Sequence, residues 1–282
     1  MKTYQEDKNW IWEDEKFPQF IYSEVPVEQL YYKFGQLKML EELLNRESYS
    51  ELMLDALMDE ALSTLAIEGE VLQRSSVRSS INRILKLGLE DDYSYTRESD
   101  ALIEVLLDAK TNPEPLTKER LLAWHSALFI KGGGLRKIEV GRYRTDPGDM
   151  QIVSGPWNKE KIHYVAPPSS QVEVLMETFL QWLNQEDGSS GIYKAVVAHL
   201  YFVLIHPFDD GNGRIARAIT DYVLARSNLA NANFYSISTT IYQKRKEYYA
   251  VLDKVCVRTD QNIEVWVEWF VEPEASYLDM SL

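Results

Sequence analysis

The chain has 282 residues with 44 acidic and 30 basic side chains, a formal net charge of −14. The length suits one large domain or two ordinary ones, and the acidic balance argues against a broad nucleic-acid-binding or anionic-membrane-binding surface, because phosphates would be repelled. The single cysteine, Cys256, excludes an internal disulfide and a multi-cysteine metal site, which suits a reducing cytoplasm.

Met1 to Asp14 is polar and acidic around Trp10 and Trp12, with no basic stub and apolar run of an export signal. Apolar residues then recur at helical spacing from Val27 to Leu44 and from Leu52 to Ile67. Shorter helices are expected over Ser79 to Leu87 and Ser99 to Ala109. The acidic stretch from Leu89 to Tyr95 is the softest boundary, dividing an N-terminal helical domain (1–95) from a core (96–282). Asn112-Pro113-Glu114-Pro115 breaks the pattern, and Thr117 is placed to cap the next helix, which runs to Ile130.

Lys131 to Ile162 is rich in glycine and carries short extended candidates at Met150 to Ser154 and Ile162 to Val165. They read as a β-hairpin flap on a helical body. Helical periodicity resumes over Gln171 to Asn184, Ile192 to Ile205, Gly213 to Arg226, Lys244 to Val257 and Ile263 to Val271. The apolar run Ala195 to Ile205 is interrupted by His199 and is too short to span a bilayer. The expected fold is therefore all-α with one small hairpin, with no membrane association.

The informative segment is His206-Pro207-Phe208-Asp209-Asp210-Gly211-Asn212-Gly213-Arg214-Ile215-Ala216-Arg217, a loop that ends one helix and starts the next. Free N–H groups and the positive dipole at a helix start favour anions, and glycines allow close approach to the backbone. Arg214 and Arg217, three apart, project from one side of the first turn and suit bidentate phosphate contacts. Asp210 is a hard carboxylate able to hold Mg²⁺, and His206 can accept a proton near neutral pH. Singly, each part has an ordinary structural explanation: a capped buried histidine, a Gly-Asn-Gly turn, surface salt bridges. Their coincidence within twelve residues points to phosphoryl-type chemistry on a nucleotide. The segment is not a Walker A loop, because Gly-Lys-Ser/Thr is missing.

This segment resembles the signature of the Fic family: His-Pro-Phe, any residue, Asp/Glu, Gly-Asn-Gly-Arg, two residues, Arg. The resemblance extends from about Leu116 to Phe270, and the Trp10-Ile11-Trp12 stretch with its following helices is similar to the accessory helical domain ahead of bacterial Fic cores. It implies a Fic helical core with a β-hairpin flap, and transfer of AMP from ATP to a Ser, Thr or Tyr hydroxyl of a protein. By motif position His206 would be the general base and Asp210 the Mg²⁺ ligand. Gly211, Asn212 and Gly213 would cradle the α-phosphate, with Arg214 at the β- and Arg217 at the γ-phosphate.

Ser63 to Gly69 is similar to the family's inhibitory helix, with Thr64, Glu68 and Gly69 at the pattern positions. Glu68 would occupy Arg217 in place of the γ-phosphate. Met150, Gln151, Ile152 and Val153 resemble the flap strand that docks a target by main-chain pairing, and Tyr248 and Tyr249 resemble the pair lining the adenine pocket. Some relatives place an Asn where this chain has Cys256. His163 and His199 are expected to be structural or substrate-proximal. The resemblance is compatible with a homodimer. With about a dozen residues after Trp269, no DNA-binding appendage is expected. Two other activities fit the same residues: removal of AMP with Glu68 catalytic, and nucleotide-dependent partner binding with little turnover.

Overall fold

The computed structural model describes residues 9–88, 94–130, 138–155, 159–186, 190–227 and 236–271. The expected boundary at 89–95 falls mostly outside them. The fold is helical with one two-stranded antiparallel sheet. The helices are α1 (Glu28–Leu43), α2 (Arg46–Glu68), α3 (Arg74–Leu85), α4 (Arg97–Thr111), α5 (Lys118–Leu128), α6 (Ser169–Asn184), α7 (Gly191–Ile205), α8 (Asn212–Arg226), α9 (Ile237–Gln243) and α10 (Arg245–Val255), followed by α11 over residues 264–271. Strands β1 (Gln151–Ser154) and β2 (Lys161–Val165) lie between α5 and α6.

Local chemistry sets several boundaries. α2 starts at Arg46, earlier than its apolar pattern, because Asn45 caps it by accepting from the Ser48 N–H. Thr96 caps α4 and Thr117 caps α5 in the same way. α3 runs from Arg74 rather than Ser79 and stops where Lys86 turns left-handed. The short α9 carries no periodic signal; its first turn is instead held by a buried carboxylate, since Glu60 of α2 accepts from the Ser236 hydroxyl and the Ser238 N–H at 2.9 and 3.0 Å. Ser63 adds a 2.9 Å hydroxyl contact to Thr239. α2 is thus fastened to α9 along one face.

α7 and α8 form the central antiparallel pair. α7 is apolar nearly all round because it is wrapped by α6, α8, α10 and α11, a pattern that belongs to a core helix rather than a surface one. Packing contacts cross the 95/96 position. Leu54, Leu57, Met58, Ala61 and Leu65 of α2 share a core with Leu102, Ile103 and Leu106 of α4. Trp10 and Ile11 lie in the main core, where the Ile11 N–H donates to the Cys256 carbonyl at 2.8 Å and the Trp12 indole donates to the Val165 carbonyl at 2.7 Å. No described helix is long and apolar enough to cross a membrane.

Three of the four histidines are held neutral. Burial pushes His125 and His206 down to about 4 and His199 down to about 3. In the unfolded chain each returns to the ordinary value of about 6.5, so below that pH the unfolded state binds more protons. Their contribution to stability is full above about pH 6.5 and is lost as pH falls toward 4. Thermal melting should therefore shift to lower temperature between pH 7 and pH 4.5. A melting temperature flat over that range would contradict buried neutral imidazoles.

Candidate active site

The site is the loop between α7 and α8, and its shape follows from its sequence. α7 ends at His206, which takes a left-handed conformation (φ 50°, ψ 58°) as Pro207 stops the helix. Phe208 turns inward, is fully buried, and stacks on His125 with ring centroids 4.0 Å apart. Asn212 latches the turn: its side-chain oxygen accepts from the Phe208 N–H at 3.0 Å and its amide donates back to the Phe208 carbonyl at 2.8 Å. Gly211 opens α8 with φ 81°, and a Cβ there would sit 2.8 Å from the Phe129 ring.

Two residues to which the sequence gave no role at this loop hold it from outside. Arg144, buried, donates from its backbone to the Pro207 carbonyl at 2.9 Å and from Nε to the His206 carbonyl at 2.8 Å, and also reaches the Pro167 carbonyl. His125 of α5 accepts the Gly141 N–H at Nδ1, so its Nε2 carries the hydrogen and donates to the Asp210 carbonyl at 3.2 Å. Arg144 falls within the glycine-rich stretch from Lys131 to Ile162, whereas His125 had no local signal, being one histidine in an ordinary amphipathic helix.

His206 is half-buried. Its Nδ1 lies 3.2 Å from the Val203 carbonyl, which can only accept, so Nδ1 carries the hydrogen and Nε2 is the basic nitrogen. With its affinity pushed down to about 4, chiefly by burial, the ring is neutral at pH 7.

The first turn of α8 meets the end of α2. Arg217, only 1% exposed, donates from Nη2 to Glu68 Oε1 at 2.8 Å and to the Thr64 carbonyl at 3.0 Å, and from Nε to the Thr64 hydroxyl at 2.8 Å. Its Nη1 makes no hydrogen bond. Burial raises the Glu68 affinity for protons, but the charge and hydrogen bond of Arg217 outweigh it, with Arg214 and Arg245 adding, so the carboxyl is held below its usual range. Gly213 lies beneath this carboxylate: a Cβ there would come within 2.5 Å of Glu68 Oε1. Arg214, also buried, lies over the Phe129 ring at 4.8 Å and donates to Glu70 Oε2 at 3.1 Å, leaving Nε and Nη2 without hydrogen bonds.

The structure thus brings together Thr64, Glu68, Gly69, His206, Asp210, Gly211, Asn212, Gly213, Arg214 and Arg217. Tyr248 is differently placed. It is buried in the core, where its hydroxyl meets His199 Nε2 at 3.0 Å. His199 Nδ1 lies 3.0 Å from the Thr220 hydroxyl, which itself donates to the Ala216 carbonyl. His199 is therefore a structural link between α7, α8 and α10. Tyr249 is 41% exposed beside Arg245.

Ile152 pairs with Tyr164 and Val153 with Ile162, so His163 is the extra residue of a bulge. Its Nδ1 reaches Asp253 of α10 at 2.8 Å, and Lys161 reaches the same carboxylate at 3.4 Å, fastening the hairpin to the body. Among the described residues no three His, Cys, Asp or Glu side chains converge on a metal position. Asp210 is a single half-exposed carboxylate 3.9 Å from Arg214 Nη2, the kind of ligand that Mg²⁺ uses when phosphates and water complete its shell.

The Fic/DOC family model matches residues 115–224, and a domain-of-unknown-function model, DUF4172, matches residues 10–87. A protein of Aquifex aeolicus (strain VF5) named "Probable protein adenylyltransferase aq_aa38" is 27% identical over 186 residues, covering 64% of this chain and 54% of the relative. "Protein adenylyltransferase fic-1" of Caenorhabditis elegans is 30% identical over 201 residues, covering 67% of this chain and 34% of the relative. The chain spans only about a third to a half of the length of these curated relatives. A crystal structure of a Fic family protein from Desulfovibrio desulfuricans G20 superposes with a TM-score of 0.68 at 24% identity, over 93% of this chain and 76% of that one, which shows a shared fold.

The latch predicts a measurable cost. Asn212→Ala leaves a buried N–H and carbonyl of Phe208 unpaired, at about 1–3 kcal/mol each. Chemical denaturation should show a loss of at least ~1 kcal/mol. A stability unchanged from wild type would contradict the two bonds.

Proposed function

Residues 115–224 form a Fic/DOC domain, and from that premise we propose that the protein transfers AMP from ATP to a Ser, Thr or Tyr hydroxyl of a protein and restrains itself through Glu68. The observation that supports this reading most is the carboxylate of Glu68 lying against Gly213 at the start of α8 while bonded to Arg217. A helix N-terminus with two adjacent guanidiniums is an anion site, and here a carboxylate of the same chain takes part of it.

His206 Nε2 takes the proton of the target hydroxyl as its oxygen attacks the α-phosphorus. The bond from that phosphorus to the oxygen bridging to the β-phosphate breaks, and pyrophosphate leaves. The carbonyl contacts from Arg144 and the Val203 contact at Nδ1 keep the imidazole oriented without spending its basic nitrogen. The backbone at Gly211 and Gly213 faces the α-phosphate. The Asn212 side chain serves indirectly, because both of its polar atoms are used on Phe208. Arg214 and Arg217 take the β- and γ-phosphates and offset the charge that develops on the leaving group. Asp210 would hold Mg²⁺, which supplies further charge neutralisation at the phosphates. Met150 with Gln151, Ile152 and Val153 of β1 would align the target segment by main-chain pairing, and the His163 and Lys161 contacts to Asp253 set the position of the hairpin relative to α10.

Glu68→Gly removes a charge-assisted bond worth about 1.5–3 kcal/mol. Transfer of labelled AMP, to a target or to the protein itself, should rise about 10–100-fold. His206→Ala in that background should lower it at least ~100-fold while ATP still binds in calorimetry. Absence of any labelled product from Glu68→Gly with ATP and Mg²⁺ would overturn the reading. Removal of AMP from a pre-modified protein by wild type, lost in Glu68→Gly, would favour the hydrolase instead.

The acid limb of kcat/KM for Glu68→Gly should lie well below pH 6, because the base is depressed to about 4. A limb centred near 6.5 would contradict the buried, neutral base.

A further inference from the structure

Glu70 stands two residues beyond Glu68 and is not part of the inhibitory pattern. The turn between them is fixed by the backbone. Gly69 is left-handed (φ 78°), its N–H donates to the Ala66 carbonyl at 3.2 Å, and the Glu70 N–H donates to the Leu65 carbonyl at 3.0 Å, which together make a Schellman cap. The cap turns the chain back so that Glu68 and Glu70 face the same turn of α8.

There each carboxylate meets its own arginine. Glu68 Oε1 is 2.8 Å from Arg217 Nη2, and Glu70 Oε2 is 3.1 Å from Arg214 Nη1. The Arg214 side chain is 4% exposed and that of Glu70 is 49% exposed. Two acidic residues at the negative end of a helix dipole are locally unfavourable. What offsets them is the pair of buried guanidiniums across the interface.

We propose that Glu70 is a second plug, excluding the β-phosphate from Arg214 as Glu68 excludes the γ-phosphate from Arg217, so that the two carboxylates grade the pocket by phosphate number. The inference rests on the nucleotide reading above. It makes Glu70 a residue that discriminates among nucleoside mono-, di- and triphosphates. Each carboxylate is held by one hydrogen bond to its arginine, and Glu70 is the more exposed of the two, with 49% of its side chain exposed against 28% for Glu68. It is therefore the plug that a nucleotide displaces first.

Calorimetric titration with AMP, ADP and ATP, each with Mg²⁺, tests this on the full chain of wild type, Glu70→Gln, Glu68→Gly and the double variant. Glu70→Gln should tighten ADP and ATP roughly two- to tenfold and leave AMP unchanged. Glu68→Gly should tighten ATP more than ADP. The double variant should combine both gains. ADP affinity unchanged by Glu70→Gln in both backgrounds would overturn the second plug while leaving Glu68 and the transferase reading in place. Equal gains for AMP and ADP would also overturn it, as a general charge effect. Binding of none of the three nucleotides by a folded double variant would overturn the nucleotide reading itself. Glu70→Ala, melted alongside, checks that the Glu70→Gln amide does not simply replace the original contact; the ADP gain should be at least as large.

Discussion

A guanidinium buried at the centre of a helical core has to be paired, and Arg217 is such a group. It leaves solvent because α8 packs against α7 and α2, and its desolvation is tolerable only because Thr64 and Glu68 of α2 meet it with three hydrogen bonds. One interaction therefore joins the N-terminal helices to the α7–α8 pair. The placement of α2 is reinforced by Glu60 and Ser63, which hold the same helix face to α9. Because α2 is anchored along its length, freeing Arg217 for another anion calls for motion of the Glu68 side chain and the turn at Gly69 rather than departure of the whole helix.

The loop before α8 shows a different use of polar groups. Arg144, His125 and Asn212 each direct hydrogen bonds to backbone carbonyls or N–H groups of residues 206–210. Each bond is buried or nearly so, and each fixes a peptide plane of the loop that carries His206 and Asp210. The result is that His206 keeps Nε2 uncommitted and Arg214 keeps two donors uncommitted while their backbone is rigidly placed. Preorganisation of this kind lowers the reorganisation needed when charge develops.

The acidic surplus of the chain takes on a local meaning in this arrangement. Positive charge is concentrated at Arg214, Arg217 and the helix start, and the carboxylates nearest to it come from one helix end. Asp253 plays a related part at the hairpin, where a single carboxylate accepts contacts from His163 and Lys161 and joins the flap to α10.

Much of this was legible in the linear chain. The helical periods, the hairpin and the loop of residues 206–217 are local patterns, because a helix face, a turn glycine and a run of chemistry-bearing residues are written within a few positions of one another. Thr64, Glu68 and Gly69 were singled out only through the resemblance to the Fic family, since a carboxylate before a helix-ending glycine is by itself an ordinary helix end. The sequence could not say that Tyr248 spends its hydroxyl on His199, that Asn212 is a latch, or that His125 and Arg144 hold a loop 62–85 residues away in sequence. Those contacts depend on which helix faces meet. The pairing of Glu70 with Arg214 belongs with them: a lone glutamate after a helix end carries no local signal, and only the docking of α2 against α8 brings it to a buried guanidinium across 144 residues of chain.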